Sequence, residues 1–319
     1  MIPHRSIHCF DGVFFLTMRY TKPATTIQDQ IRLLQSRGML IADLAEAEHF
    51  LSNISYYRLA GYWWPMQADK VKHIFKPGSR FENVIALYNF DRELRILLFD
   101  VIERIEIALR SKLIYHLANE IDPWWFENAR HFKNAVNHRT CLDSIDRELK
   151  QSKDTFIKEH YAKYHTDRRR PPSWKTLEVV SFTTLSKIYA NLNPSVKSKD
   201  VIAAELNTAN HTYLQSWLQS IAQIRNICAH HGRLWNKNLP GRPRLLRKPP
   251  APWLVQVPPV TEHHKIYVHL CCMKYLLDVI SPGHHFGSKL TALLAKYPTV
   301  DIHALGINDK WQGEPLWVR

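Results

Sequence analysis

The feature that most restricts how this sequence can fold is the segment from about Phe81 to Ala118, which contains neither glycine nor proline. Its apolar residues recur every three or four positions, the spacing that places side chains on one face of an α-helix. They include Val84, Ile85, Tyr88, Leu94, Leu97, Leu98, Val101, Ile102, Ile105, Ala108, Leu109, Leu113 and Leu117. The pattern predicts one long helix, or two helices broken near Phe90 and Asp91, and Asp122-Pro123 ends it.

The rest of the sequence carries shorter helical patterns that are separated by proline-marked loops. We predict helices over about 25–37, 138–164, 176–192, 196–206, 211–231, 262–280 and 286–296. Gly38 is a predicted C-cap, and Asp43 is the predicted N-cap of a further helix. Strand-like alternation is scarce, so the predicted fold class is all-α.

Composition shifts divide the chain into four expected regions. Residues 1–18 lack a clear period, and we expect a disordered leader or a misassigned start, with Met18 as the true start and residues 1–17 before it. A helical domain is expected over 19–239 and a helical extension, packed on the same domain, over 261–319. Between them, the prolines of 240–260 cannot propagate a helix and predict an extended linker.

The net charge of the chain indicates which kinds of partner it binds. With 43 Lys and Arg against 29 Asp and Glu, the formal net charge is +14. Such an excess is typical of proteins that meet phosphate, in nucleic acid or at an anionic membrane surface. No run approaches the ~18 apolar residues of a transmembrane helix, and we expect no membrane partner.

Several chemistries lack their motifs. The chain has 10 glycines and neither a P-loop nor a dinucleotide-binding fingerprint, so we expect no nucleotide cofactor. Its five cysteines form no C-x-x-C pair, which predicts a reduced, cytoplasmic protein. Adjacent histidine pairs point apart on a helix, and no H-E-x-x-H is present, so no metal site is predicted.

The most informative stretch runs from Gln223 to Asn236 and closes an amphipathic helix for which Gly232 is a plausible C-cap. Asn226 and His230 are four residues apart and share a helical face. Arg225 lies about 140° from His230 at ~3.6 residues per turn, so both border one cleft only if the last turn loosens.

Arginine and histidine suffice for metal-free cleavage of RNA. The 2′-OH is an internal nucleophile, a histidine moves protons as general base or acid, and an arginine holds the phosphate. Arg225 and His230 are therefore a candidate catalytic pair, with Asn226 positioning either. The alternative is that both residues only complement the helix dipole at its C-terminus, and spacing alone favours that alternative.

Other residues are candidates for a cleft around this pair. Glu103, Glu106 and Arg110 fall within about 60° on the predicted long helix and form either a polar stripe lining the cleft, together with His231, or a solvated face. Arg110 and His116 fit a looser Arg-His spacing. Arginines in proline-rich loops are candidate RNA contacts, or else solvated basic loops. These residues are Arg168, Arg169, Arg170, Arg242, Arg244, Arg247 and Lys248.

Several segments together resemble the Abi-like family of bacterial abortive-infection proteins (the AbiD and AbiF type), and Arg225-Asn226-Ile227-Cys228-Ala229-His230 resembles the R-N-x-x-x-H signature of HEPN ribonucleases. The segments are Tyr20–Pro23, Ile54–Tyr62, Leu87–Arg95, Ile102–Ser111, Arg225–Asn236, Leu305-Gly306, Trp311 and Pro315–Trp317. The resemblance covers roughly 20–319. It implies a helical HEPN fold, phage defence, and a homodimer that brings two motifs to one cleft.

The resemblance also implies RNA as substrate or partner, in some members a cognate non-coding RNA. By position it makes Arg225 and His230 the catalytic pair and Asn226 their support. The leading hypothesis is a metal-independent endoribonuclease. The alternatives are a non-catalytic RNA-binding protein, and a DNA-binding regulator, for which the sequence offers no persuasive helix-turn-helix.

Overall fold

The computed structural model describes residues 21–318, together with the backbone of two antiparallel strands, β1 (Ile7–Phe10) and β2 (Val13–Leu16). The leader predicted over 1–18 falls mainly outside the described residues and stays a prediction. The chain divides into two compact units, the first ending at Ile85 and the second beginning at Ala86. The sequence did not predict this boundary, because it lies inside an uninterrupted helical pattern.

Besides β1 and β2, the described residues of the first unit contain three helices and a β-hairpin. The elements are α1 (Ile27–Ser36), α2 (Leu44–Ile54), α3 (Tyr56–Trp63), β3 (Gln67–Asp69) and β4 (Ile74–Phe75). Both predicted caps are confirmed: the Asp43 carboxylate accepts from the Glu46 amide at 3.0 Å, and Gly38 has a φ of +92° just beyond α1. Tyr62 and Trp63 are buried in this unit.

Helix α4 (Phe81–Glu120) begins in the first unit and provides the longest element of the second. It is one continuous helix, so the alternative of a break near Phe90 and Asp91 is wrong. The predicted apolar stripe is confirmed, since Leu94, Leu98 and Leu113 have no measurable exposure. Asp91 does not interrupt the helix because its carboxylate is engaged by a distant part of the chain instead of the local backbone.

Eight shorter helices complete the second unit. They are α5 (Ala135–Gln151), α6 (Thr155–Lys163), α7 (Ser173–Val179), α8 (Phe182–Asn191), α9 (Lys197–Glu205), α10 (His211–Ala229), α11 (Ile266–Ile280) and α12 (Phe286–Lys296). With twelve α-helices among the described residues, the predicted all-α fold class is confirmed. None of the helices described combines the length and apolar character needed to cross a bilayer.

Two predicted helices are each divided in the structure. The pattern over 138–164 contains α5 and α6, which are separated at residues 152–154, and the pattern over 176–192 contains α7 and α8. At the second division Ser181 is an N-cap whose hydroxyl accepts from the Thr184 amide at 3.4 Å. A side chain that bonds the backbone in this way favours a new helix start over continuation, which the apolar spacing alone did not reveal.

Helix α10 lies at the centre of the second unit, in contact with α8, α9 and α11. The proline-rich residues 240–259 contain neither helix nor strand, and they are fastened to α10 and α11. The indole of Trp217 donates to the carbonyl of Arg244 at 2.6 Å, and the Arg244 amide donates to Ser216 Oγ at 3.0 Å. The segment is therefore a strap held along the helices.

His269 joins this strap to α11. Its two ring nitrogens lie 3.0 Å and 3.1 Å from the carbonyl oxygens of Lys265 and Gly241. These contacts raise the pKa of the imidazole, but burial outweighs them and lowers its pKa from 6.5 to about 4. With a pKa of about 4 the ring is neutral at neutral pH, and a neutral imidazole donates to one of the two carbonyls only.

This neutral histidine makes stability depend on pH. A pKa that is depressed on folding means that the unfolded chain binds more protons between pH 6.5 and 4. Stability is therefore present above pH 6.5 and is lost as pH falls towards 4, by about 3 kcal/mol for a shift of this size. We expect the free-energy difference between wild type and His269→Gln, measured by urea unfolding, to shrink by about 2–3 kcal/mol from pH 7 to 4.5. An equal difference at both pH values would contradict a neutral buried His269. The exposed His285→Gln is the matched control.

Candidate functional site

The R-N-x-x-x-H segment closes α10 and begins the loop that follows it. The helix ends at Ala229, and His230 is its C-cap, with φ −91° and ψ 15°. The Gly232 amide donates to the Ile227 carbonyl at 2.7 Å and the His231 amide to the Cys228 carbonyl at 3.0 Å. This pair of bonds is a Schellman motif, which satisfies the carbonyls of the last turn by backbone alone.

The sequence made Gly232 a plausible C-cap, but the C-cap is His230 and Gly232 is not the left-handed residue that ends the helix. His231 holds that position with a φ of +53°, a conformation in which histidine is enriched among non-glycine residues. Gly232 is needed for a different reason. A Cβ there would lie 3.1 Å from Ile227 Cγ2 and 3.2 Å from the Ile227 carbonyl oxygen, so a larger residue would crowd the end of α10.

The loop after the motif is anchored on α4 by a buried ion pair. Asp91 and Arg95 contact each other with side-chain exposures of 0% and 6%. Asp91 accepts from the amides of Leu234 and Trp235 at 3.1 Å and 2.7 Å, and Arg95 donates to the Gly232 carbonyl at 3.3 Å. These bonds fix backbone two to five residues after His230. The pair thus sets where the chain leaves α10.

Arg225 lies on the side of α10 that faces the carboxylate of Glu106. Burial raises the pKa of Glu106, and the positive charges of Arg110 and Arg225 act in the opposite direction. Within the described residues, the half-buried Arg225 guanidinium forms no hydrogen bond or ion pair. The Arg225 charge therefore lies near the Glu106 carboxylate without forming an ion pair with it.

Arg110, and not Arg225, forms the ion pair with the Glu106 carboxylate. Its guanidinium pairs with Glu106 at 2.8 Å and donates to the carbonyls of Leu177, Glu178 and Val180, where α7 ends. A cation at a helix C-terminus meets the negative end of the dipole. Arg110 thus positions the α7–α8 junction, and Glu106 interacts with the charges of both Arg110 and Arg225. Glu103 is exposed and adds negative charge beside Glu106.

Asn226 points to α8. Its Nδ2 donates to Thr183 Oγ1 at 3.2 Å in the first turn of that helix. His230 and His231 are exposed at the end of α10. The structure thus associates Arg225 with Glu106 of α4 and Asn226 with Thr183 of α8, and leaves His230 at the open end of α10. The looser Arg110–His116 pair does not form one site, since His116 contacts Glu205 at 3.0 Å.

The first predicted RNA-binding cluster is largely neutralised within the protein. Arg170 pairs with Asp146 at 2.6 Å and with Glu127 at 3.4 Å. Arg169 pairs with Asp167 at 2.7 Å and stacks 3.7 Å from the ring centre of Trp124. Arg168 is exposed. The carboxylates come from α5 and from neighbouring turns, which a sequence window around 168–170 shows only in part.

The second cluster lies on the strap described above. The backbone of Arg244 is bonded to α10. The side chains of the four basic residues in this cluster are exposed. These residues are Arg242, Arg244, Arg247 and Lys248. Their role as RNA contacts stays a prediction. Among the described residues, no group of three or more His, Cys, Asp or Glu side chains is arranged to hold a metal ion.

The ion pair of Asp91 and Arg95 was not predicted from the sequence. Both lie within one of the segments that carry the family resemblance, and no role was predicted for either. A signal was present, because Asp91 and Arg95 are four residues apart within the apolar stripe of α4. Two opposite charges in a buried stripe indicate an internal ion pair, although the amides that complete it cannot be found locally.

Breaking this ion pair should release the loop after His230. We expect Asp91→Ala to lower the free energy of unfolding by about 3–5 kcal/mol, because it removes the carboxylate that balances the buried Arg95 charge and accepts from two backbone amides. Urea unfolding measures the loss, and the exposed Arg92→Ala on the same helix should change stability by less than about 0.5 kcal/mol. Equal effects of the two variants would show that the pair is not an anchor.

Comparison with known proteins gives one match. The family model described as Abi-like protein matches residues 49–236, which include Asp91, Arg95, Glu106 and the whole R-N-x-x-x-H segment. Neither a curated protein nor a solved structure matches the sequence. Since the matched residues make up more than half of its length, the chain belongs to the Abi-like protein family.

Proposed function

We propose that this protein is a metal-independent endoribonuclease of the HEPN type that acts in phage defence by abortive infection. Membership of the Abi-like family indicates the defence role. The observation that carries the catalytic proposal is Arg225, whose guanidinium lies near Glu106 without an ion-pair or hydrogen-bond partner among the described residues. A half-buried cation in this state is available to bind a phosphate.

The chemistry follows from the residue types. His230 takes the proton of the RNA 2′-OH, the 2′-oxygen attacks the adjacent phosphorus, and the bond from phosphorus to the 5′-oxygen breaks. The leaving 5′-oxygen takes a proton from an acid, and the negative charge that grows on the phosphorane is stabilised by Arg225. The products are a 2′,3′-cyclic phosphate and a 5′-OH. Asn226, held by Thr183, positions the strand beside this pair.

Replacing either residue of the pair should remove cleavage and preserve the fold. We expect His230→Ala to slow cleavage of RNA in EDTA by about 10²–10⁴-fold and Arg225→Ala by about 10²–10³-fold. The measurement is gel-resolved cleavage with analysis of the product ends. The matched controls are His285→Ala and Arg147→Ala, which replace exposed residues of the same types elsewhere. Cleavage that survives in Arg225→Ala or His230→Ala would refute the residue assignment.

A second function has its own supporting observation. His230 is exposed, and within the described residues its imidazole has no hydrogen-bond partner to fix its tautomer. A histidine used for proton transfer is normally oriented by such a partner. A non-catalytic RNA-binding protein needs none. It predicts salt-sensitive RNA binding by wild type, with no cyclic-phosphate ends at any pH.

A homodimer would supply a second R-N-x-x-x-H segment and the acid for the leaving group, and we include it in the proposal. Helix α4 exposes Ile96, Phe99 and Ile107 on one stripe, with exposed fractions of 55%, 37% and 54%. Glu103 lies within this stripe and adjoins Glu106, which faces Arg225. A second copy packed here would cover the apolar surface and bring its own R-N-x-x-x-H segment near the first. The second His230 would serve as the acid.

Placing a charge on this stripe should dissociate the dimer. We expect Ile107→Glu to convert the dimer to a monomer in size-exclusion chromatography with light scattering and to reduce RNA cleavage with it, because a carboxylate buried at an interface is unpaired. Val136→Glu, which replaces an exposed apolar residue of α5, should change neither property. A wild-type protein that remains monomeric at every concentration would contradict this part of the proposal.

A further inference from the structure

A polar cavity of about 370 Å³ lies among α5, α8 and α10, separate from Arg225 and His230. Its floor contains the buried residues Cys141 and Ala190. The polar side chains at its wall come from all three helices and from the residue before α5. They are Lys133, Asn137, Thr140, Lys187, Asn191, Gln215 and Gln219. None of the residues that line it carries a carboxylate.

Most of these polar groups have no partner in the protein. Asn191 is occupied, since its amide bonds the backbone of Asn134 at 2.9 Å and 3.2 Å and thereby shapes the wall. Thr140 is also occupied, since its hydroxyl donates to the Val136 carbonyl at 3.0 Å. The side chains of the other five polar residues form no hydrogen bond or ion pair in the described part of the chain. Most of them are exposed, so two ammonium groups and three amides at the cavity are solvated and open to a ligand. This contrasts with Arg169 and Arg170, whose charges are neutralised.

The cavity is aligned with the R-N-x-x-x-H segment. Gln215, Gln219 and Asn226 lie on one face of α10, at spacings of four and seven residues. Gln219 is about 10 Å and Gln215 about 16 Å from Asn226 along the helix axis at ~1.5 Å per residue. On α8, Thr183 contacts Asn226 and Lys187 follows one turn later. One polar seam between α8 and α10 thus connects the two places.

The side chains of the cavity match the chemistry of a nucleotide. Lysine ammonium groups bind phosphate as point charges. Amide side chains offer a donor and an acceptor together, the combination that reads the edge of an unpaired base. A purely apolar ligand would leave three amides and two charges desolvated without partners. A small inorganic anion would leave the amides unused.

We propose that this cavity is a nucleotide-binding subsite that holds one unpaired nucleotide of the RNA strand whose scissile phosphate lies at Arg225. The inference rests on the proposed function and names its specificity element. Lys133 and Lys187 bind the strand backbone, and Gln215 and Gln219 select the base. The distance along α10 places the selected base a few nucleotides from the cut.

Binding tests the subsite without requiring cleavage. The experiment measures fluorescence anisotropy of a labelled single-stranded RNA in a His230→Ala background, over a range of salt concentrations. Lys133→Ala/Lys187→Ala should reduce the salt slope by about 1.4, since each phosphate contact on a single strand contributes about 0.7. The same slope predicts an affinity loss of about 25-fold at 0.1 M salt that disappears towards 1 M. The charge-matched control is Lys150→Ala/Lys153→Ala, whose exposed lysines do not line the cavity.

Base selection is tested in otherwise wild-type protein. Gln219→Ala should weaken the base preference at one fixed position relative to the cut by about fivefold or more, and leave the cut chemistry unchanged. Thermal unfolding of each variant verifies the fold. If RNA is cleaved and the cavity variants behave like the Lys150→Ala/Lys153→Ala control, the subsite is overturned and the proposed function stands. Pocket-dependent RNA binding with no cleavage in wild type would support the subsite and overturn the catalytic proposal.

Free nucleotides are the other source of the same chemistry. The four nucleoside 5′-monophosphates are titrated against His230→Ala by calorimetry, alone and with the RNA oligonucleotide present. Weak binding that the oligonucleotide displaces supports a subsite of the strand. Tight binding of one free nucleotide that the oligonucleotide does not displace would overturn it.

Discussion

The buried pair of Asp91 and Arg95 is the interaction on which the geometry of the candidate site depends. Both side chains are buried, with exposures of 0% and 6%, and backbone groups contribute hydrogen bonds to the pair. Those groups include the amides of Leu234 and Trp235 and the carbonyl of Gly232. The pair therefore ties the loop that follows His230 to α4, although neither charged residue has to touch a substrate.

Helix α10 divides its polar residues between two neighbours. Arg225 faces Glu106 of α4, and Asn226 faces Thr183 of α8, on the side that continues to Gln219. The contacts of the basic side chains indicate which of them contribute to the net charge of +14. Cations such as Arg110 and Arg170 are paired with carboxylates and hold helices and turns together. The excess positive charge belongs to side chains without such partners, including those of the strap and of the polar cavity.

The sequence predicted what depends on local spacing. The stripe of α4, the caps at Gly38 and Asp43 and the all-α class follow from neighbours within a few residues. Features that depend on contacts between residues far apart in the sequence could not be predicted from it. The apolar pattern over 176–192 gave no sign that Arg110, about seventy residues earlier in the chain, would hold the end of α7. The strap over 240–259 reads as a solvated linker until Trp217 and His269 are seen to bond its carbonyls. Arg225 and His230 were found by motif, and their neighbours by structure.

The structure also weighs against the purely structural interpretation of the R-N-x-x-x-H segment. In that interpretation, Arg225 and His230 stabilise the helix by meeting the carbonyls of its last turn. Those carbonyls already have partners, since the amides of residues 230–232 bond Asn226, Cys228 and Ile227. Arg225 lies beside Glu106, a full turn before the end of α10, and no described carbonyl accepts a bond from it. The end of α10 is thus capped mainly by its own backbone, and among the described residues neither side chain forms a hydrogen bond to it.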